Sequence, residues 1–110
     1  MNELEQARRQ IDEIDAQMAA LFEQRMQAVT MVAHHKAQTG MAVFDASRED
    51  AVVAKNVARL QNPKMAAYYE DFIRHTMAVS RSYQEYRLGL DKVAYQGVEG
   101  AFTHIALRHL

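Results

Sequence analysis

The fold is decided by the stretch NELEQARRQIDEIDAQMAALFEQRMQAVTMVAHHKAQ, residues 2–38. It contains no Gly or Pro and is dominated by good helix formers such as Ala, Gln, Glu, Met and Arg. Nothing local therefore stops a helix before Gly40. Roughly 37 residues at about 1.5 Å each span on the order of 55 Å. The stretch predicts one long, unbroken helix.

Apolar residues recur along this helix at alternating spacings of three and four, the pattern of a heptad seam. Arg25 occupies the place where one apolar residue of the seam belongs. The seam consists of Leu4, Ala7, Ile11, Ile14, Met18, Leu21, Ala28, Val32 and His35. Because so long a helix cannot bury its seam inside a small monomer, the pattern predicts an intertwined helical homodimer.

Two further helices are predicted after the long one. A short helix is expected over residues 47–60, with Ser47 as its cap and Asp50 completing a capping box. Pro63 then breaks the chain, because proline lacks a donor and disfavours helical geometry at the residue before it. The third helix is expected over residues 64–88, which a glycine follows. The predicted class is all-α, with a long, a short and a long helix.

The residues after the third helix change character. Residues 92–95 predict a short strand, residues 96–100 a turn, and residue 101 the start of a helix. This is the first strand-turn-helix unit of an α/β domain without the rest of its sheet. We therefore expect one domain over residues 1–90. Residues 91–110 are expected to be a linker and the truncated start of another domain, disordered or packed opportunistically.

Composition narrows the function classes. The 110 residues have room for little more than one domain, and 49% apolar residues suffice for a packed core. The net charge of -1 gives no field that favours nucleic acid or an anionic membrane. Cysteine is absent, which excludes disulfides and Cys-ligated metals. With no run of about 18 apolar residues and no secretory signal, we expect a cytoplasmic protein.

Two cations on the long helix point the same way. Arg25 and Lys36 are eleven residues apart, which places them within about 20° of one helix face and roughly 16 Å apart along the axis. They could converge on a small ligand, or Arg25 could reach solvent or pair with an acid. Arg8 lies some 25 Å before Arg25. It either joins a site through an antiparallel partner helix or is an ordinary solvated arginine.

Polar residues of the later helices are further candidates. Arg48 and Glu49 begin the second helix just after Asp45, where free N–H groups favour an anion, unless this is simply a solvated first turn. Ser80 and Gln84 lie one turn apart on a core-facing stripe, and buried polar groups need partners, such as a polar ligand. The five histidines lack metal-ligand spacing, so neither a metal nor a cofactor is expected.

As a set, these residues resemble the all-α chorismate mutase domain over residues 3–88. The resemblance is carried by three helices in long-short-long order and by Arg8, Arg25, Lys36, Asp45, Arg48, Glu49, Ser80 and Gln84. The segment VAYQGVEGAFTH, residues 93–104, resembles the opening of a prephenate dehydratase domain. The chain is therefore similar to the N-terminal part of a bifunctional chorismate mutase/prephenate dehydratase. Dehydratase activity is not expected, since that active site would lie beyond Leu110.

The resemblance implies an isomerase that converts chorismate to prephenate by a unimolecular Claisen rearrangement, in phenylalanine and tyrosine biosynthesis. It implies that Arg25 and a second guanidinium, that of Arg8 from the other protomer, grip the substrate carboxylates. Lys36 and Gln84 would donate to the ether oxygen. The catalytic residues would thus be Lys36, Gln84 and Arg25.

The resemblance also assigns the remaining polar residues. Glu49 and the backbone near Asp45 would receive the ring hydroxyl, Arg48 would add to the cationic field, and Ser80 would assist the ring carboxylate. Two alternatives stay open. One is an isochorismate pyruvate lyase on the same scaffold, against which the dehydratase-like tail argues. The other is a non-catalytic helical dimerisation or regulatory module.

Overall fold

The computed structural model describes residues 2–96, and the side chains of residues 2–89. Within this range the chain forms helices only, in the predicted long-short-long order. They are α1 (Glu3–Thr39), α2 (Ala46–Val57) and α3 (Ala66–Gln96), with a short 3-10 helix at Pro63–Met65 before α3. The all-α class is confirmed. None of these helices combines the length and the apolar character needed to cross a membrane.

Both ends of α1 are capped by the residues that the sequence places there. The Asn2 side chain accepts a hydrogen bond from the Glu5 backbone N–H at 2.8 Å, and Glu3 and Glu5 complement the helix dipole. At the other end, Gly40 has a φ of 73° and donates its N–H to the Lys36 carbonyl at 2.9 Å. Glycine adopts this left-handed conformation without strain. The predicted unbroken helix is confirmed to within one residue.

The start of α2 differs from the prediction. Asp45, not Ser47, is the N-cap, and its carboxylate accepts a hydrogen bond from the Arg48 backbone N–H at 3.0 Å. Asp and Ser are about equally good caps, and starting earlier places Ala46, a residue of the best helix-forming type, in the first turn. The predicted cap is therefore wrong by two residues. α2 also ends earlier than predicted, at Val57.

The end of α3 differs as well. The helix continues through Gly89 and residues 92–95 to Gln96, so the predicted helix end and the predicted strand are wrong. A lone strand has no neighbour to take its backbone hydrogen bonds, whereas a helix satisfies them internally. One glycine costs a helix only about 1 kcal/mol relative to alanine, too little to stop a long one. The rest of the predicted turn and the helix start at residue 101 lie outside the described residues.

The core is small and centred on α3. Val53 of α2 is buried against Ile73 and Met77 of α3, with Val52, Val57 and Tyr69 packed around them. On its other flank, α3 is contacted by the C-terminal half of α1, which buries only Val29 and Ala33. α3 is therefore the element that places α1 and α2 relative to each other.

The predicted seam of α1 does not pack on α3. Its apolar side chains are between 43% and 61% exposed at Leu4, Ile11, Ile14, Met18, Leu21 and Val32. The buried residues Val29 and Ala33 each follow a seam residue by one position, so α3 contacts a face about 100° away. The molecule is 58 Å long, close to the length of α1 itself. Within one chain, no described residue covers the seam.

Candidate active site

Arg25 reaches from α1 to α3. Its Nη1 donates to the Ser80 hydroxyl oxygen at 2.5 Å, while Ser80 donates its own proton to the Thr76 carbonyl at 3.0 Å. Arg25 as a residue is exposed, but Ser80 is 6% exposed. Within the described residues Arg25 forms no ion pair with an acid. Among the described residues, one of its five guanidinium donors is thus used.

Gln84 lies one turn beyond Ser80 on the same side of α3. The residue is 7% exposed, and its Oε1 is buried without a hydrogen-bond partner among the described residues. Buried polar atoms in proteins are nearly always paired, and an unmade hydrogen bond costs about 1–3 kcal/mol. A glutamine amide carries both an acceptor oxygen and a donor NH₂ group, so a rotation of the amide can present either one here. The residue therefore marks a place for a polar ligand group.

Lys36 is the second cation of α1 in this region. It is half-buried, and its Nζ donates to the Val43 carbonyl at 2.8 Å, in the connection between α1 and α2. An ammonium carries three donors, so two remain for a ligand. The bond to Val43 holds the connection against the end of α1.

An ion pair that the sequence analysis did not find joins α2 to α3. Glu49, whose side chain is 16% exposed, accepts a hydrogen bond from Arg81. The Arg81 guanidinium also lies over the ring of Phe44, with Cζ 5.2 Å from the ring centre. The spacing in the sequence could have identified Arg81, because it follows Met77 by four residues. A cation at that spacing falls on the core-facing stripe of α3.

The remaining predicted residues lie at the edge of this group or far from it. The Asp45 carboxylate is occupied as the cap of α2, and Arg48 is exposed on the first turn of that helix. Arg8 is exposed on α1, seventeen residues before Arg25 and about 25 Å away along the axis. The chain therefore brings Arg25 to Ser80 beside Gln84, and leaves Arg8 apart.

The helices around these residues follow a simple course. Arg25 of α1 contacts Ser80 of α3, and Thr30, further along α1, contacts Tyr83, further along α3. The helices α1 and α3 therefore run in the same direction. Lys36 on α1 and Gln84 on α3 consequently lie further along in the same direction. Of the cations Arg25, Lys36 and Arg81, only Arg81 is paired with a carboxylate among the described residues, that of Glu49. The arrangement is suited to an anionic ligand of small size.

A separate groove of about 220 Å³ lies between α1 and α3. It is lined by Phe22, Glu23, Met26, Gln27, Thr30 and Tyr83, and contains none of the predicted site residues. Within residues 2–89, one pKa departs clearly from its ordinary value, and that residue also lies outside the site. The Glu70 carboxylate raises the pKa of Arg74 through a hydrogen bond, and Asp50 adds to this effect. Among the side chains of residues 2–89, no three His, Asp or Glu residues are grouped as metal ligands.

Comparison with known proteins gives one family. The family model described as chorismate mutase type II matches residues 7–85, well over half of the chain. Neither the curated proteins nor the solved structures yield a significant match. The matched range begins before Arg8 and ends after Gln84, so it contains every predicted site residue. The chain therefore belongs to the chorismate mutase type II family, a family of isomerases.

Proposed function

We propose that the protein is a chorismate mutase that rearranges chorismate to prephenate in phenylalanine and tyrosine biosynthesis. The observation that carries the proposal is the buried Oε1 of Gln84, which has no hydrogen-bond partner among the described residues and lies one turn from the serine that Arg25 contacts, in a chain of this family. An isolated packing amide would find a protein partner. A polar ligand between α1 and α3 would supply the partner that Gln84 Oε1 lacks among the described residues.

The chemistry asks little of the protein beyond positioning and charge. Chorismate is a dicarboxylate with an enolpyruvyl ether and a ring hydroxyl. As the ether C–O bond breaks and a C–C bond forms, negative charge develops on the ether oxygen. The protein must hold the enolpyruvyl group over the ring and place donors at that oxygen.

Arg25, Lys36 and Gln84 fit these tasks. The planar fork of Arg25 matches a carboxylate, and its contact with Ser80 leaves four donors free. Lys36 and the Gln84 amide donate to the ether oxygen, where charge develops only during the reaction. Charge-assisted hydrogen bonds contribute about 1.5–3 kcal/mol each. With selection of the reactive conformer, they approach the roughly 8 kcal/mol that a millionfold acceleration requires.

The other polar residues bind the substrate ring. Glu49 and the backbone near Asp45 accept and orient the ring hydroxyl, and Arg48 adds positive charge at the edge of the site. Ser80 takes part in binding the ring carboxylate together with Arg25. Two observations support these roles: Ser80 is buried and contacts Arg25 of α1, and Glu49, whose side chain is mostly buried, contacts Arg81 of α3.

The functional unit in this proposal is an intertwined homodimer. The N-terminal half of α1 exposes a continuous apolar seam, and Phe22, 48% exposed, extends it into the groove between α1 and α3. A second copy of the chain carries the same apolar seam, so pairing two copies removes both apolar surfaces from water. An antiparallel α1 from that copy would carry its own Arg8 toward Arg25. The guanidinium of that Arg8 would bind the second carboxylate of the substrate.

We further propose that residues 1–90 are the mutase domain, and that residues 91–110 begin a prephenate dehydratase domain of a bifunctional protein. The support is the resemblance of residues 93–104 to the opening of a prephenate dehydratase domain. α3 continues to Gln96, so the boundary at residue 90 would lie within a helix that passes from one domain toward the next. Dehydratase activity is not part of the proposal for these 110 residues.

The test is the loss of the ultraviolet absorbance of chorismate on addition of purified protein, with the product identified. We expect rapid formation of prephenate, abolished in Arg25→Ala, and a loss chiefly of kcat in Lys36→Ala. The matched control is Arg59→Ala, since Arg59 is exposed and its side chain contacts only Asn56 among the described residues. Its activity should equal that of the wild type.

Other results would redirect the assignment. Pyruvate release from isochorismate without prephenate formation from chorismate would indicate the lyase. A folded dimer that converts neither compound, and whose melting temperature does not rise with a chorismate transition-state analogue, would indicate a non-catalytic module. Wild-type turnover in Lys36→Ala would remove Lys36 from its role at the ether oxygen.

A further inference from the structure

Arg81 connects three elements of the chain. It lies on the core-facing stripe of α3, its guanidinium donates to Glu49 of α2, and its Cζ lies over the ring of Phe44, in the connection between α1 and α2. The Arg81 side chain is 30% exposed. Arg74, the other arginine of α3 that is paired with α2, has a more exposed side chain, at 46%. A cation–π contact combined with a hydrogen bond to a carboxylate restricts the movement of a guanidinium.

The contact with Glu49 uses only half of that carboxylate. Arg81 Nη1 bonds to Oε1, and no hydrogen bond of Oε2 occurs within the described residues. A carboxylate that is mostly buried needs a partner to remain charged and in place. Arg81 supplies that partner and leaves one oxygen as a free acceptor. A carboxylate held by one oxygen is well suited to accept a hydroxyl with the other.

We propose that Arg81 is a positioning residue of the active site, which fixes Glu49 so that its free oxygen accepts the ring hydroxyl of the substrate. This inference rests on the proposed chorismate mutase function. Arg81 itself does not touch the substrate and acts through Glu49. Through Phe44, Arg81 also contacts the connection between α1 and α2, to which Lys36 donates a hydrogen bond at the neighbouring residue, Val43.

The proposal predicts a particular kinetic change. The ring hydroxyl is present in both the substrate and the transition state, so weaker binding of it raises KM and leaves kcat nearly unchanged. In Arg81→Met, which keeps a long apolar stem, we expect KM to rise on the order of 10-fold, the usual effect of losing one hydrogen bond to a charged group. Arg81→Lys keeps the charge without the fork and should recover part of this loss.

Two further measurements separate positioning from stability. Arg74→Met is the matched control, because Arg74 also joins α3 to α2 through an ion pair, with Asp50, but touches neither Glu49 nor Phe44. It should leave KM unchanged. In a Glu49→Gln background, Arg81→Met should add little, since the two changes break one interaction. With a chorismate analogue whose ring hydroxyl is methylated, Arg81→Met should no longer differ from the wild type.

The outcomes are distinct. If the wild type converts chorismate and folded Arg81→Met has an unchanged KM, the proposal is wrong while the mutase function stands. Equal effects of Arg81→Met and Arg74→Met, or additive effects of Arg81→Met and Glu49→Gln, would also overturn it. Should Arg81→Met not fold, Arg81→Lys with the methylated analogue carries the same test. An inactive wild type overturns the proposed function and this inference together.

Discussion

Mixing two inactive variants provides a direct test of a site shared between protomers. Arg8→Ala and Arg25→Ala each remove one carboxylate-binding guanidinium from every site of their own dimer. A bidentate contact of this kind is worth about 3 kcal/mol, which corresponds to a loss of more than about 100-fold in kcat/KM. Because α1 is unbroken over 37 residues, Arg8 and Arg25 of one chain stay about 25 Å apart and cannot act on one substrate.

The expected activity of the mixture follows from this geometry. In a mixed dimer, one site receives both alanines and the other receives both arginines, so one of two sites is intact. When the variants are unfolded together and refolded in equal amounts, about half of the dimers are mixed. The mixture should therefore regain about a quarter of wild-type activity in the chorismate absorbance assay. Arg9→Ala, at the neighbouring exposed arginine, is the matched control for Arg8→Ala and should remain fully active.

Three results would refute this reasoning. A folded dimeric mixture with no more activity than its two components would place the whole site within one chain. Full activity of Arg8→Ala alone would remove Arg8 from the site. A folded, active monomer in analytical ultracentrifugation would remove the homodimer itself.

Two other predictions concern the cap of α1 and the neutral donor. Gly40→Ala should destabilise the protein by about 1 kcal/mol, because a Cβ there meets open space but the φ of 73° is strained for an L residue. The melting temperature should fall by about 4–8 °C, less in Gly40→Asn, and an unchanged value would show that this capping conformation is not required. Activity should persist from about pH 6 to pH 8, since the Gln84 amide needs no proton to donate. A sharp loss of kcat across that range would argue against its role.

Much of the fold follows from neighbouring residues alone. The uninterrupted run of helix formers in α1, the stop at Gly40 and the break at Pro63 predict the three helices, and the structure confirms them. Ser80 and Gln84 were identifiable because polar residues on an apolar stripe are uncommon, and both are buried. Errors occurred where two local signals competed, as at the start of α2, or where a strand had no partner, as at the end of α3.

The sequence by itself determined the order of the three helices, the apolar seam of α1 and the types of polar residue in the proposed site, because these depend on periodicity and caps within a few residues. Only the tertiary structure decided that Val29 and Ala33 contact α3, and that Arg81 pairs with Glu49 across 32 positions. Such contacts depend on how far each helix is rotated when it packs. A rotation of one residue changes the neighbours of every side chain without altering the local pattern.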